Sequence, residues 1–136
     1  MPDGTIDWVG IIVAIVAAMA IGAVWYGPLF GKQWMELVGK TRDELRASGG
    51  LGYLLALLGA FATALVMTYV TQWADANGSF PQGMLVGTVM WAGFTVSTVV
   101  TGGAFEGRDW GLILINAGNA LLSLMIVGGI VATFAG

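Results

Sequence analysis

The sequence predicts an all-α integral membrane protein in which four transmembrane helices form an antiparallel bundle. Of the 136 residues, 57% are hydrophobic and only 13 (five basic, eight acidic) are charged, whereas about 25% of residues are charged in a typical soluble domain. Each of the four charge-free runs is longer than the roughly 20 apolar residues that cross a bilayer. We therefore expect residues 1–136 to form a single membrane domain. The runs are residues 8–31, 47–74, 76–105 and 110–136.

Span one is predicted over residues 8–26. Asp7 precedes it as a candidate N-cap, because an Asp side chain accepts hydrogen bonds from the first free amides of a helix. Gly27-Pro28 is expected to end it, since proline lacks the amide hydrogen that a helix interior needs. The stretch before it has no basic residue, whereas a secretory signal begins with a positive region. Span one is therefore expected to be retained in the membrane.

The segment of residues 28–50 carries four of the five basic residues and is predicted to form a short amphipathic helix. Its apolar side chains recur at helical spacing with polar residues between them, which is typical of a helix in the membrane interface. An irregular charged loop is the alternative. Thr41 and Glu44 also match a capping box, which predicts a second short turn. The apolar stripe consists of Phe30, Trp34, Leu37 and Val38.

The other three spans follow at short intervals. Ser79 and Gln82 fit a capping box at the start of span three, with Pro81 in the first turn, where proline is well tolerated. Short connections imply that neighbouring helices are antiparallel. The predicted ranges are residues 51–73, 80–103 and 110–134.

The basic residues predict the orientation of the bundle. All of them lie between spans one and two or between spans three and four, and basic loops favour the cytoplasmic side. We therefore expect both termini on the non-cytoplasmic side of the membrane. The residues are Lys32, Lys40, Arg42, Arg46 and Arg108.

The composition also excludes classes of function. The chain has no Cys and no His, which removes thiol nucleophiles, His bases and the Cys/His sites of zinc, haem and iron–sulfur clusters. Its net charge of −3 argues against nucleic acid as a partner. We expect no catalytic residue, cofactor or metal site, and the lipid bilayer as a partner. An enzyme using Glu36, Glu106 and Asp109 is a remote alternative, because their spacing matches no known motif.

Two strings in the sequence are distinctive: Trp-Tyr-Gly-Pro-Leu-Phe-Gly-Lys at residues 25–32, and Phe-Glu-Gly-Arg at residues 105–108. In both strings the chain resembles a bacterial family of small four-span membrane proteins, catalogued as domain of unknown function 1761. The resemblance implies a four-helix fold in the inner membrane of a bacterium and no known activity. It also implies an aromatic residue or His where this chain has Asn119. The first string and the two residues after it contain seven candidate functional residues. These are Trp25, Tyr26, Gly27, Pro28, Phe30, Lys32 and Trp34.

Polar side chains at matching depths predict a seam between spans three and four. At about 1.5 Å per residue, Trp91 and Asn119 both fall near the middle of the bilayer. Such a seam either lines a ligand pocket or polar path, or joins the two helices by hydrogen bonds. None of its side chains ionises, which favours the structural interpretation. The predicted pairs are Thr88 with Ser123, Trp91 with Asn119, and Thr95 with Asn116.

Small residues predict close contacts between helices. In span three, Gly83 and Gly87 predict a contact either within the bundle or with another subunit. Spans one and two carry ridges of small or short side chains that match in depth. These are Gly10, Ala14, Ala18 and Gly22 on span one, and Ala60, Ala64, Thr68 and Gln72 on span two.

Glu106 and Arg108 are predicted at the cytoplasmic mouth of the bundle, beside Lys32. They form either a gate or anionic-substrate site, or a loop ion pair worth about 0 to 1 kcal/mol.

The small-residue ridges and the lack of any soluble domain favour a non-enzymatic protein that acts by assembly. It is expected to form a homo-oligomer or to serve as an accessory subunit of a larger membrane complex. A small channel or transporter using the polar seam is the alternative, although ion pathways commonly carry charged or carbonyl rings.

Overall fold

Four long helices dominate the fold. The computed structural model describes residues 5–41, 43, 44 and 49–135. Within these ranges it is all-helical, and four of its helices are long and apolar enough to cross a membrane. The predicted fold class is therefore confirmed. Spans one to four are Trp8–Leu29, Gly50–Trp73, Phe80–Phe105 and Trp110–Phe134.

Three of the spans begin at a polar side chain that caps free backbone amides. Asp7 accepts hydrogen bonds from the amides of Val9 at 3.0 Å and Gly10 at 3.2 Å. Ser79 accepts one from Gln82 at 3.3 Å, and Asp109 caps span four. The caps predicted at Asp7 and Ser79 are confirmed. Each satisfies amides that have no partner inside the helix.

Span one continues past the proline that was expected to end it. Its α-helix covers Trp8–Val24, and a π-helical turn, Trp25–Leu29, carries the span over Pro28. In this turn the amide of Phe30 donates to the carbonyl of Trp25 at 2.8 Å, which is the i to i+5 pattern of a π-helix. The end predicted at Gly27-Pro28 was therefore too early.

Span three contains a second π-helical turn. It consists of an α-helix over Phe80–Met90, a π-helix over Trp91–Thr95 and an α-helix over Val96–Phe105. No residue pattern of span three predicts this turn. Such turns often occur at functional sites.

A short helix, Gly31–Val38, follows span one directly. It ends at Gly39, whose φ of 78° lies in the left-handed region that favours glycine at a helix end. The hydroxyl of Thr41 then accepts a hydrogen bond from the amide of Glu44 at 3.2 Å, as the predicted cap requires. The rest of the second turn lies outside the described residues. The helix of span two is Gly49–Trp73.

Span four packs against each of the other three spans. The main buried cluster joins it to spans one and two, through Ile11, Ala14, Ala64, Met67, Val127 and Val131. We call the end of the bundle with residues 5–7, 74–79 and 135 the terminal end. The end with the short helix and residues 106–109 is the basic end. The cluster lies in the half nearer the terminal end.

Spans three and four make a close glycine contact. A Cβ on Gly83 would overlap the carbonyl of Gly128, and one on Gly87 would overlap the carbonyl of Leu124. Glycine is therefore needed at both positions to let the backbones approach. This pair serves the inside of the bundle, which was one of the two predicted uses.

The predicted ridge between spans one and two forms only in part. Ala14 and Ala64 are fully buried in the same cluster. Gly10 instead lies against Phe134 of span four, and a Cβ on Gly22 would meet nothing within 4 Å. Pairing the residues by their depth in the membrane does not show that span four lies at the centre of the bundle. Span four therefore makes contacts that the sequence predicted for span two.

Candidate functional site

The family-like string at residues 25–32 builds a compact aromatic cluster. We call Trp25, Tyr26, Phe30 and Trp34 the aromatic turn. The rings of Trp25 and Phe30 lie 4.7 Å apart between centroids, and those of Tyr26 and Trp34 lie 5.1 Å apart, edge to face. Both separations are those of stabilising aromatic pairs. The π-helical turn thus links the end of span one to the short helix.

Two polar atoms of the aromatic turn hold span four. The indole nitrogen of Trp25 donates to the carbonyl of Ile115 at 2.9 Å. The hydroxyl of Tyr26 donates to Oδ1 of Asn116 at 2.8 Å. Adjacent residues of one span therefore bond adjacent residues of another, and these two bonds fix the turn against the bundle.

Glycines give the aromatic turn the room that it needs. A Cβ on Gly31 would lie 2.5 Å from the carbonyl oxygen of Tyr26, and one on Gly118 would lie 2.8 Å from the ring of Trp25. Gly27 has open space instead, and Pro28 lies exposed within the π-helix. The closeness of Gly31 to Tyr26 gives a physical reason for a glycine at that position of the string.

The second π-helical turn also presents a tryptophan to span four. The indole nitrogen of Trp91 donates to the carbonyl of Ala117 at 2.8 Å. Trp25 and Trp91 thus bond carbonyls on either side of Asn116. One helical turn further on, Oδ1 of Asn119 is buried without a hydrogen-bond partner among the described residues.

The predicted polar seam does not form as hydrogen bonds between side chains. Trp91 bonds the backbone of Ala117 rather than the side chain of Asn119. Asn116 accepts from Tyr26 of span one rather than from span three, and the hydroxyl of Thr88 returns to Met84 of its own helix. Depth therefore gives the level at which Trp91 meets span four, but the hydrogen-bond partners differ from the predicted ones.

A pocket of about 420 Å³ opens beside the aromatic turn at the basic end. We call it the donor pocket. It lies between the short helix, the end of span one and the beginning of span four. Its lining is Tyr26, Trp34, Leu37, Val38, Arg108, Leu112 and Asn116. Four of the candidate residues predicted from the sequence, Tyr26, Trp34, Arg108 and Asn116, therefore line this pocket.

The connection between spans three and four places Arg108 at this pocket. The amides of Gly107 and Arg108 donate to the carbonyls of Ala104 and Gly103, and Gly107 has a φ of 71°. This is a Schellman motif, in which a left-handed glycine closes a helix. The glycine of the Phe-Glu-Gly-Arg string thus has a structural role.

Glu106 and Arg108 form an ion pair at 2.7 Å, with their side chains 59% and 50% exposed. A pair this exposed contributes about 0 to 1 kcal/mol. The observation matches the loop ion pair among the two sequence interpretations. Lys32, expected beside them, lines a separate pocket of about 410 Å³ with Glu36 and Lys40.

The three carboxylates considered for catalysis have separate surroundings. Asp109 accepts from the amide of Gly111 at 2.8 Å, Glu106 pairs with Arg108, and Glu36 lies at the other pocket. Across the part of the chain that the structure describes, no three potential ligands group to hold a metal ion.

Four apolar spans indicate a multi-pass membrane protein. The profile of a family described as "Protein of unknown function (DUF1761)" matches residues 9–132. The chain belongs to this family, as its strings predicted. Comparison with curated proteins and with solved structures finds no match.

Proposed function

We propose that this protein is a non-enzymatic membrane subunit that acts by assembling with a second copy of itself. The observation that carries the proposal is the contrast within span two. Its half near the terminal end contains buried Ala64, Met67 and Thr68. Its half near the basic end, residues 50–59, is exposed at every position. A helix that packs along only half its length leaves the other half free for a partner.

One face of that free half is made of small residues. Gly52, Ala56 and Gly59 follow at i, i+4 and i+7 and therefore lie on one side of the helix. A Cβ on Gly52 or Gly59 would meet nothing within 4 Å. Glycine lowers the stability of a helix by about 1 kcal/mol relative to alanine, and contact with lipid tails does not compensate for this loss. Close approach of another helix would offset this cost.

A second copy is the partner that fits this face best. Two copies inserted in the same orientation are related by a twofold axis along the membrane normal. Span two then meets its own equivalent, and a face of small residues is complementary to itself. Twofold dimers are also the commonest homo-oligomers. A larger complex of different subunits is the alternative occupant, and the experiment below separates the two.

The proposal includes an orientation and a location. The basic end carries Lys32 and Arg108, and short basic loops face the cytoplasm. We place this end at the cytoplasmic side of a bacterial inner membrane and both termini on the opposite side. The channel or transporter alternative depends on the polar seam, whose side chains bond elsewhere, so no specific observation favours it.

Native mass spectrometry of the gently extracted protein tests the proposal. We expect a dimer for the wild type and a monomer for the double variant Gly52→Leu/Gly59→Leu, because leucine would hold the two helices apart. Gly22→Leu is the matched control. It makes the same change on span one, where a Cβ also meets nothing within 4 Å, and we expect it to remain dimeric.

Two outcomes would overturn self-assembly through span two. One is a wild type that is monomeric under all mild extraction conditions. The other is a double variant that dimerises as the wild type does. Extraction at a fixed ratio with a different protein would replace the second copy with a larger complex as the partner.

A further inference from the structure

The donor pocket has two chemically different walls. Leu37, Val38 and Leu112 supply an apolar wall, and Leu112 is only 9% exposed. Tyr26, Arg108 and Asn116 supply the polar groups. Its volume of about 420 Å³ lies within the roughly 300 to 1,000 Å³ of small-molecule sites. A ligand that fills it needs both a polar and an apolar part.

The polar wall offers mainly hydrogen-bond donors. The Tyr26 hydroxyl donates a hydrogen bond to Oδ1 of Asn116. The amide nitrogen of Asn116 carries two N–H groups, and neither has an acceptor among the described residues. The indole nitrogen of Trp34 also has no acceptor there. Such an arrangement favours a ligand that presents several acceptor oxygens.

Among the lining residues that the structure describes, Arg108 alone carries a formal charge. Its Nε atom is engaged by Glu106, but an arginine carries five N–H donors in a planar fork. The terminal nitrogens can therefore take a second oxyanion. Oδ1 of the neighbouring Asp109 accepts a hydrogen bond from the amide of Gly111. The geometry of guanidinium forks suits phosphate and carboxylate oxygens.

We propose that the donor pocket binds the phosphate headgroup of an anionic membrane amphiphile. The phosphate oxygens accept from Arg108, Asn116 and Trp34, and the beginning of the hydrocarbon chain lies on Leu37 and Leu112. The membrane supplies such a ligand at this depth, because the pocket lies where the spans end. A free phosphate ester shares the headgroup chemistry but would leave the apolar wall uncovered. This site is independent of the proposed dimer face on span two.

Lipid titration of the purified protein in detergent tests the site, with retention followed by native mass spectrometry. The probes are phosphatidylglycerol, zwitterionic phosphatidylcholine, and soluble glycerol phosphate as competitor. We expect one phosphatidylglycerol retained per chain in preference to phosphatidylcholine. Arg108→Gln should weaken it by roughly tenfold or more, the size expected for losing a charged hydrogen bond. Asn116→Leu should weaken it several-fold without any change of charge.

Lys32→Gln is the matched control, because it removes the same charge at the neighbouring pocket. We expect its retention of phosphatidylglycerol to stay within about twofold of wild type. Equal losses in Lys32→Gln and Arg108→Gln would overturn the pocket and indicate general attraction to the basic end. Unchanged retention in Asn116→Leu would overturn it as well.

The soluble competitor separates the two sources of phosphate. We expect millimolar glycerol phosphate to leave the lipid in place. Displacement by it would overturn the amphiphile and make a soluble phosphate ester the ligand. Thermal unfolding of each variant confirms that it is folded. The loop that holds Arg108 is closed by backbone bonds, so Arg108→Gln is expected to keep it intact.

Discussion

The two ends of the bundle are built on different principles. At the terminal end, glycines and alanines bring backbones into contact around buried Met67. Backbone and amide groups also close this end, because Gln72 donates to the carbonyl of Thr5 and Gly78 to that of Ala132. At the basic end, span two stands exposed, and indole and phenol groups hold the helices. Tight packing therefore holds one end, whereas a few polar hydrogen bonds hold the other, where half of span two is exposed.

The largest effect should come from filling the glycine contact at the terminal end. In Gly83→Ala, the new Cβ would lie 2.7 Å from the Cβ of Ala132 and would overlap the carbonyl of Gly128. Spans three and four must then separate, and we expect a loss of about 3 kcal/mol or more in the free energy of unfolding. Thermal or denaturant unfolding in detergent measures it.

Gly22→Ala is the control for this prediction. It makes the same change in span one, where a Cβ meets nothing within 4 Å, so we expect no loss and even a small gain in helix stability. Similar losses in both variants would remove the distinction between a packed and an open end.

The next effect compares the two halves of span two. Met67 is 2% exposed within the core, whereas Leu55 is 57% exposed. Met67→Ala should cost about 2 kcal/mol or more, because it leaves a cavity between spans two and four. Leu55→Ala should cost little in the isolated monomer, since only lipid or detergent contacts change there. A cost at Leu55 as large as that at Met67 would show that the exposed half is packed.

The sequence predicted the membrane spans and their caps because both depend on local information. A charge-free run of adequate length must be covered by lipid or protein, and Asp7 and Ser79 immediately precede the helices of spans one and three. The depth count also placed Trp91 at the level of span four that it contacts. These features require no knowledge of which helix lies at the centre.

The polar partners of the candidate site could not be predicted in this way. Pro28 predicts the end of a helix, because proline lacks the amide hydrogen. A shift to π-helical hydrogen bonding cannot be recognised from the amino-acid composition. Trp25 and Tyr26 lie in the π-helical turn and both bond span four, so the partner of Asn116 belongs to span one. A pairing by depth between spans three and four leaves out span one, which supplies the partner of Asn116.

A smaller effect tests the polar anchors of the basic end. Trp25→Phe keeps an aromatic ring but removes the N–H that donates to Ile115. We expect a loss of about 1 kcal/mol, typical of one hydrogen bond. Trp110→Phe is the control, because Trp110 is 60% exposed and carries no described hydrogen bond. A Trp25→Phe variant as stable as this control would show that packing, not the indole bond, holds this end.

The smallest effect concerns the ion pair at the mouth of the donor pocket. Glu106→Gln should change the free energy of unfolding by less than about 1 kcal/mol, because both partners are half exposed. The change should shrink further in about 1 M salt, where the Debye length is about 3 Å. Unfolding curves at low and high salt measure it.

The same substitution separates the two uses of Arg108. If the arginine serves only the loop, Glu106→Gln leaves lipid retention unchanged. If the donor pocket binds an oxyanion, the variant frees Nε of Arg108 and removes a negative charge beside the site, so phosphatidylglycerol should bind more tightly while stability falls slightly. An open end with a ligand site therefore predicts tighter lipid binding together with slightly lower stability in this one variant. A packed end without such a site does not predict this combination.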